Sequence, residues 1–191
     1  MAGLQLLLVA YSGLRWGEHV ALAPEQVDFG RRRINVNRQI IDSRSALVPS
    51  LPKGRRRRIT MFPAVTPAGV DLAALVERRL AEVTFGEPVF PAPRGGWQRR
   101  SNYGRNTWDR AAAEVGWPRQ DDGRWLWTFH SLRHVFATWA LHEAGIPIED
   151  LSRLLGHSST RVSQDIYIHV RNDMFDRFFH ATGHRDNSGQ P

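Results

Sequence analysis

Three short motifs in this 191-residue sequence combine arginine and histidine at spacings that suit chemistry on a phosphate. They are Ser12-Gly-Leu-Arg15-Trp-Gly-Glu18, His130-Ser-Leu-Arg133-His134 and Leu155-Gly-His157, and Tyr167 follows ten residues after His157. Arginine offers a planar, permanently charged fork that bonds two phosphate oxygens, and a tyrosine hydroxyl can act as an oxygen nucleophile. Taken singly, each residue has a structural alternative. Arg15 could cap a helix or pair with Glu18, the histidines could be buried or capping, and Tyr167 could be a packing residue.

Basic residues are concentrated in one stretch of the chain. From Arg31 to Arg58 there are ten arginine or lysine residues against a single acid, Asp42, in a chain of formal net charge +7. Such a run can be a solvated face, but a local excess of this size favours a polyanion bound in a salt-dependent way. An anionic membrane surface is disfavoured because the run has no amphipathic helical pattern. We therefore expect a nucleic acid partner. The candidate contacts are Arg55, Arg56, Arg57 and Arg58.

The motifs, taken in their order along the chain, resemble those of tyrosine recombinases of the phage-integrase kind. The first motif is similar to the family's first arginine box, and the second motif to its second box. Leu155-Gly-His157 with Tyr167 resembles the third box and the nucleophile, and Lys53, before a basic strand, matches the family's β-hairpin lysine. One motif alone is a weak signal, whereas the ordered set is specific. The resemblance runs from near the start of the chain to Tyr167.

The resemblance implies a site-specific recombinase or integrase that moves a phage or mobile element. Tyr167 would cleave double-stranded DNA through a 3′-phosphotyrosyl intermediate, which preserves the bond energy until a second strand attacks. Arg15 and Arg133 would clamp the phosphate and His157 would be a further donor, because such charge stabilisation is usually the largest catalytic contribution. The implied reaction uses no ATP, metal, cofactor or small-molecule substrate.

Lys53 is the only lysine among the 26 lysine and arginine residues of the chain. Protonating the departing 5′ oxygen needs a group that can release a proton, which an ammonium can do and a guanidinium effectively cannot. The composition therefore favours Lys53 as a general acid. By resemblance, His130 would assist proton movement near Tyr167, and Glu18 would support the arginines rather than transfer a proton.

Two other functions stay open at the level of the sequence. A type IB topoisomerase shares the nucleophile and much of the clamp, although the compact Gly156-His157 box close to Tyr167 favours the recombinase. The chain could also be a truncated, non-catalytic DNA-binding remnant of an integrase. The presence of every expected catalytic residue argues against that loss of chemistry.

The elements that must position these residues are mainly helical. Apolar spacing predicts helices at 1–11, 15–24, 66–80, 102–115, 132–145, 148–155, 160–169 and 172–179, the third beginning with a Thr66-Pro67 cap. Three β-rich stretches are predicted at Arg33–Val36, Ala46–Leu51 and Arg56–Met61, with Pro52-Lys53-Gly54 as a hairpin turn between the last two. We expect an α+β fold, mainly α-helical with one small antiparallel sheet, as in the tyrosine recombinase catalytic domain.

We expect a catalytic domain over 1–180 and a polar, disordered tail over 181–191. The resemblance implies an N-terminal core-binding domain and a first catalytic-domain helix that this sequence lacks, as expected of a fragment, a mis-assigned start or a decayed element. After Tyr167 comes an apolar stripe that either packs on its own core or docks on a neighbouring protomer of a homotetramer on DNA. Its residues are Met174, Phe175, Phe178 and Phe179.

Composition sets further bounds on the class of protein. The chain has no cysteine, which excludes disulfides, thiol catalysis and thiolate metal sites. No apolar run approaches the length of a membrane span, so no membrane partner is expected. Together with the expected DNA partner, these features predict a bacterial cytoplasmic protein associated with the nucleoid.

Overall fold

The structure of the chain, a computed structural model, describes residues 2–43 and 46–156. Its helices are α1 Ala2–Ala10, α2 Trp16–Val20, α3 Leu72–Ala81, α4 Arg100–Tyr103, α5 Asp109–Glu114, α6 Ser131–His142 and α7 Ile148–Leu155. Its strands are β1 Val27–Asp28, β2 Arg33–Val36, β3 Gln39–Asp42, β4 Leu47–Ser50 and β5 Arg58–Met61. Short 3₁₀ turns lie at Pro24–Gln26 and Lys53–Arg55, and a π-helical turn, Gly104–Trp108, joins α4 to α5. The α+β class, mainly helical with small antiparallel sheets, is confirmed.

The strands form two antiparallel sheets rather than the single sheet that the sequence predicts. One has the order β1-β2-β5, and the other pairs β3 with β4. The predicted hairpin at Pro52-Lys53-Gly54 is wrong, because β4 and β5 do not pair and the turn passes from one sheet to the other. β4 pairs instead with β3, which is nearer in the chain. Beside this pair of strands, Ser43 Oγ donates to Ala46 O at 2.7 Å and accepts from Ala46 N at 3.0 Å.

The predicted helices that flank the second and third motifs are confirmed. α6 covers the predicted apolar positions, and α7 has the predicted bounds, followed by Gly156 in the left-handed conformation at φ 64°. The predicted start of α3 is wrong. Thr66 closes a separate turn by accepting from Val70 N, and the helix begins at Leu72 with Asp71 as its cap, Oδ1 accepting from Ala74 N at 2.9 Å.

Two apolar clusters hold the motifs in place. The larger one joins α1, the first sheet and α3 through Leu8, Leu14, Leu22, Ile34, Val36, Phe62, Leu72, Val76, Val89 and Phe90. The smaller one joins α6 to α7 through Phe136, Ala137, Ala140, Leu151 and Leu155. Gly13 lies where they meet. A β-carbon on it would fall 2.5 Å from Phe136 Cδ1, so only glycine lets the first motif approach α6 this closely.

No helix in 2–43 or 46–156 is both long and apolar enough to cross a membrane.

Candidate active site

Arg15 and Glu18 form a closed unit at the start of α2. The backbone N–H of Arg15 donates to Glu18 Oε2 at 2.8 Å, and Nη1 of Arg15 donates to Oε1 at 3.1 Å. Arg15 therefore does pair with Glu18, as its structural alternative supposed. The pair is not a surface pair, however, because the Glu18 side chain is 0% exposed and that of Arg15 is 22% exposed. Losing one partner of this buried contact would cost far more free energy of unfolding than losing one partner of an exposed ion pair.

Arg58 completes the coordination of the Glu18 carboxylate from the first residue of β5. Its Nη1 and Nη2 donate to Oε1 and Oε2, each at 2.7 Å, in a two-point fork. Burial alone would raise the pKa of Glu18, but the hydrogen bonds and charges of Arg58 and Arg15 hold it below its usual value. The prediction that Arg58 contacts DNA with its three neighbours does not fit this position. The strand directs its side chain inward, where it is 6% exposed.

Arg133 reaches the same region from α6 and is buried at 4% exposure. Its Nη1 donates to Gly13 O at 2.6 Å, and its Nη2 donates to Leu155 O. Burial, followed by the charges of Arg15 and Arg58, lowers the pKa of Arg133 to about 9. The side chain is thus a cation at neutral pH whose charge repels two others nearby.

Together, Arg15, Arg58 and Arg133 form what we call the arginine cluster, and it converges on the end of α7. Arg58 Nε donates to Leu154 O at 2.7 Å, Arg133 to Leu155 O, and Arg15 Nη2 to Gly156 O at 3.2 Å. The last carbonyls of a helix have no partner within it and carry its negative pole, so the three guanidinium groups satisfy them. Among the described residues, Glu18 supplies the one carboxylate that contacts the cluster. The excess positive charge suits an anion.

His130 precedes α6 and lies beside the cluster. Its ring stands nearly perpendicular to that of His134, with centroids 5.3 Å apart. Partial burial, and then the charges of His134, Arg133, Arg15 and Arg100, lower the pKa of His130. The imidazole is therefore neutral at pH 7 and able to accept a proton. Arg100, whose charge acts on His130, is a nearby exposed cation that lies outside every motif.

Lys53 lies apart from the buried unit, on the 3₁₀ turn Lys53–Arg55. It is exposed, as are Arg55, Arg56 and Arg57, and it comes five residues before Arg58. Gly54 and Arg55 have φ of 77° and 55°, a left-handed pair that turns the chain sharply. The structure thus ties the lysine turn to the cluster through β5, without bringing the lysine into contact with it.

His157 and Tyr167 lie outside the described residues, as do the predicted helices 160–169 and 172–179, the apolar stripe from Met174 to Phe179 and the tail. Gly156, whose carbonyl accepts from Arg15, is the residue directly before His157. Within 2–43 and 46–156, no three histidine, aspartate or glutamate side chains are grouped as metal ligands.

The profile of the phage integrase family matches residues 2–174. The chain belongs to the phage integrase family. This membership confirms the resemblance seen in the motifs and overturns the topoisomerase alternative.

Curated relatives of this integrase-family chain are longer than it is. A XerC-like tyrosine recombinase of Caldanaerobacter subterraneus subsp. tengcongensis is 28% identical, over 86% of this chain and 45% of that protein. An integrase of Streptomyces ambofaciens is 46% identical over 41 residues, which are 22% of this chain and 10% of that protein. The chain thus spans less than half the length of these relatives.

Solved structures similar to this integrase-family chain show the same fold. The Tn1549 transposon integrase in complex with transposon right end DNA has a TM-score of 0.69 at 18% identity, over 91% of this chain and 57% of that one. The XerA recombinase has a TM-score of 0.62 at 23% identity, over 93% of this chain and 62% of that one. These likenesses confirm the predicted fold of a tyrosine recombinase catalytic domain.

Proposed function

We propose that the chain is the catalytic domain of a site-specific DNA recombinase, which cleaves and rejoins DNA through a 3′-phosphotyrosyl intermediate. The observation that carries the proposal is the arginine cluster. Three guanidinium groups converge on the end of α7, and two of them share one buried carboxylate, so a cationic site is built in advance for a phosphodiester. Donors fixed before the reaction stabilise the charge that develops on the phosphate without reorganising.

The two clamp arginines differ in how they would meet the phosphate. Arg15 presents the more accessible guanidinium, at 22% exposure. Arg133 supplies its charge from a buried position, and its two carbonyl bonds use only two of the five N–H groups of a guanidinium. His157, directly after Gly156, is the further donor in this proposal.

The proposed chemical step gives a task to Tyr167, His130 and Lys53. The Tyr167 hydroxyl oxygen bonds to phosphorus as the bond from phosphorus to the 5′ oxygen breaks. The tyrosine proton passes to His130, which is neutral at pH 7, and the 5′ oxygen takes a proton from Lys53. Lys53 acts from its turn, which DNA would draw towards the phosphate. Rejoining reverses each transfer, so atoms and protons balance over the cycle.

The proposed partner is double-stranded DNA, held in part by the exposed arginines Arg55, Arg56 and Arg57. The similar Tn1549 structure is a complex with DNA, as is that of the XerH recombinase bound to its difH substrate. We propose four protomers on two DNA sites, with the segment after Tyr167 docking on a neighbouring subunit, and a location at the bacterial nucleoid.

Covalent capture tests the proposed chemistry. The 191-residue chain is mixed with a pool of nicked duplexes of randomised sequence, where the nick lets the fragment beyond the cleaved bond diffuse away and so traps the adduct. Denaturing electrophoresis is expected to show a protein–DNA adduct that Tyr167→Phe abolishes, and the recovered DNA gives the target sequence. An adduct that persists in Tyr167→Phe contradicts the nucleophile. DNA binding without any adduct would instead identify a non-catalytic remnant.

A further inference from the structure

We infer that Arg58 is a positioning residue of the reaction, which fixes Arg15 through Glu18 and fixes the end of α7 that leads into His157. The inference rests on the proposed function. It gives Arg58 a task unlike that of the arginines beside it in the sequence.

The first step concerns the Glu18 carboxylate. Its Oε1 accepts from both Arg58 and Arg15, and its Oε2 accepts from Arg58 and from the backbone N–H of Arg15. The fork from Arg58 fixes the plane of the carboxylate, and that plane sets where the Arg15 guanidinium lies. Without Arg58, each oxygen of the buried carboxylate would keep only its bond from Arg15, and the Arg15 guanidinium would be drawn closer to the carboxylate. In this inference, such a movement would change where Arg15 meets the phosphate.

The second step concerns the end of α7. Arg58 Nε donates to Leu154 O at 2.7 Å, and its aliphatic stem lies against Gly156. A β-carbon on Gly156 would fall 2.7 Å from Arg58 Cδ and 3.2 Å from Nε. Arg58 therefore contacts the backbone on both sides of Leu155, at Leu154 and at Gly156, and Gly156 directly precedes His157.

The third step concerns the alternative that Arg58 contacts DNA as its neighbours do. Each of the three guanidinium nitrogens of Arg58 donates a hydrogen bond, one to Leu154 O and two to Glu18, and the side chain is 6% exposed. Arg57, the adjacent residue, is exposed. The two side chains therefore form a matched pair, of the same type and one residue apart, in which only the environment differs.

The experiment separates binding from chemistry in that pair. Arg58→Lys keeps the charge and most of the stem but cannot bond both carboxylate oxygens and Leu154 O together, and Arg57→Lys is its control. Arg58→Ala and Arg57→Ala form the second pair. DNA affinity and the single-turnover rate of adduct formation at saturating DNA are measured on the captured duplex.

We expect Arg57→Ala to weaken DNA binding and to reduce its salt dependence by about one ion. We expect Arg58→Ala to bind DNA within about twofold of the wild type but to cleave about 10²-fold more slowly, the scale of a catalytic group displaced by an ångström. Added ethylguanidinium should fill the vacated space and restore part of the rate in Arg58→Ala, and should restore nothing in Arg57→Ala. Arg58→Lys should react about 10-fold more slowly than the wild type, having lost one fork bond.

The outcomes keep the two proposals apart. An adduct-forming wild type whose Arg58 variants lose affinity as the Arg57 variants do would identify Arg58 as a DNA contact and overturn the inference alone. A fully active Arg58→Lys, or one that fails to fold, would overturn it as well. A wild type that forms no adduct contradicts the proposed function, and with it the inference.

Discussion

Arginine occupies two contrasting environments in this chain, and β5 separates them. On the turn before the strand, Arg55, Arg56 and Arg57 are exposed. At the first residue of the strand, Arg58 joins the buried arginine cluster and meets a carboxylate and a helix end. The exposed arginines attract anions at long range, and salt screens that attraction. The buried Arg58 is held in a fixed geometry, and salt weakens its contacts far less. The same side chain therefore serves affinity in one place and precision in the other.

The largest effect should come from removing the carboxylate of the buried region. Glu18→Gln leaves Arg58 and Arg15 without their counter-charge, and breaking a buried ion pair from one side costs about 3–5 kcal/mol. Asp150→Asn is the control. Asp150 and Arg153 are also 2.7 Å apart, but their side chains are 54% and 79% exposed. The free energy of unfolding in urea should barely change in this control. Equal losses in the two variants would show that burial does not distinguish the two environments.

The sequence predicts which residues form the buried region better than it predicts the contacts between them. Arg15, Glu18 and Arg133 belong to local motifs whose residue types and order are visible without a structure. Their meeting at α7 is not, because it joins residues as far apart as Arg15 and Gly156, 141 positions along the chain. Such contacts follow from how α6 and α7 pack against the first motif, which no local pattern encodes.

Arg58 shows why the inward side of β5 is hard to predict. Alternate residues of a strand share a face, so Arg58 lies on the face of Thr60, which is 0% exposed. Hydrophobicity points the other way, because Ile59 is 48% exposed and Met61 38% exposed. Polar residues here face inward because they bond to partners, as Thr60 Oγ1 does to Ser12 O at 2.7 Å. The same non-local choice of partner explains the missed strand β3 and the wrong hairpin.

A second prediction concerns His19, the fully buried histidine that follows Glu18 in α2. Burial lowers the pKa of His19 to about 3, and no hydrogen bond of ordinary geometry reaches either ring nitrogen within the described residues. The unfolded chain takes up a proton below pH 6.5, whereas folded His19 does not, so stability is full above pH 6.5 and falls as the pH drops towards 3. The loss is about 1.4 kcal/mol per pH unit, or about 2 kcal/mol at pH 5.

His19→Leu is the matched variant, since leucine has a similar volume and no polar atoms to bury. Unfolding free energies at pH 7, 6 and 5 should fall steeply in the wild type and much less in His19→Leu. Glu18, whose pKa is also lowered, loses its contribution only below its usual value of 4.5, and His130 is present in both proteins. The difference between the two slopes therefore isolates His19. Identical slopes would mean that His19 accepts its proton without unfolding.

The smallest difference between paired variants should come from Gly156, where the buried region touches the chain before His157. Gly145→Ala and Gly156→Ala place alanine at nearly the same left-handed φ, 65° and 64°. A β-carbon meets nothing within 4 Å at Gly145, but at Gly156 it meets Arg58 Cδ at 2.7 Å. Gly145→Ala should cost about 1 kcal/mol of unfolding free energy for the conformation alone. Gly156→Ala should cost about 1–2 kcal/mol more, because Arg58 must shift.

That shift should also slow adduct formation in Gly156→Ala while Gly145→Ala reacts like the wild type. If both alanine variants cleave at the same rate, the contact between Arg58 and Gly156 is packing alone, and the end of α7 needs no arginine to hold it for the reaction.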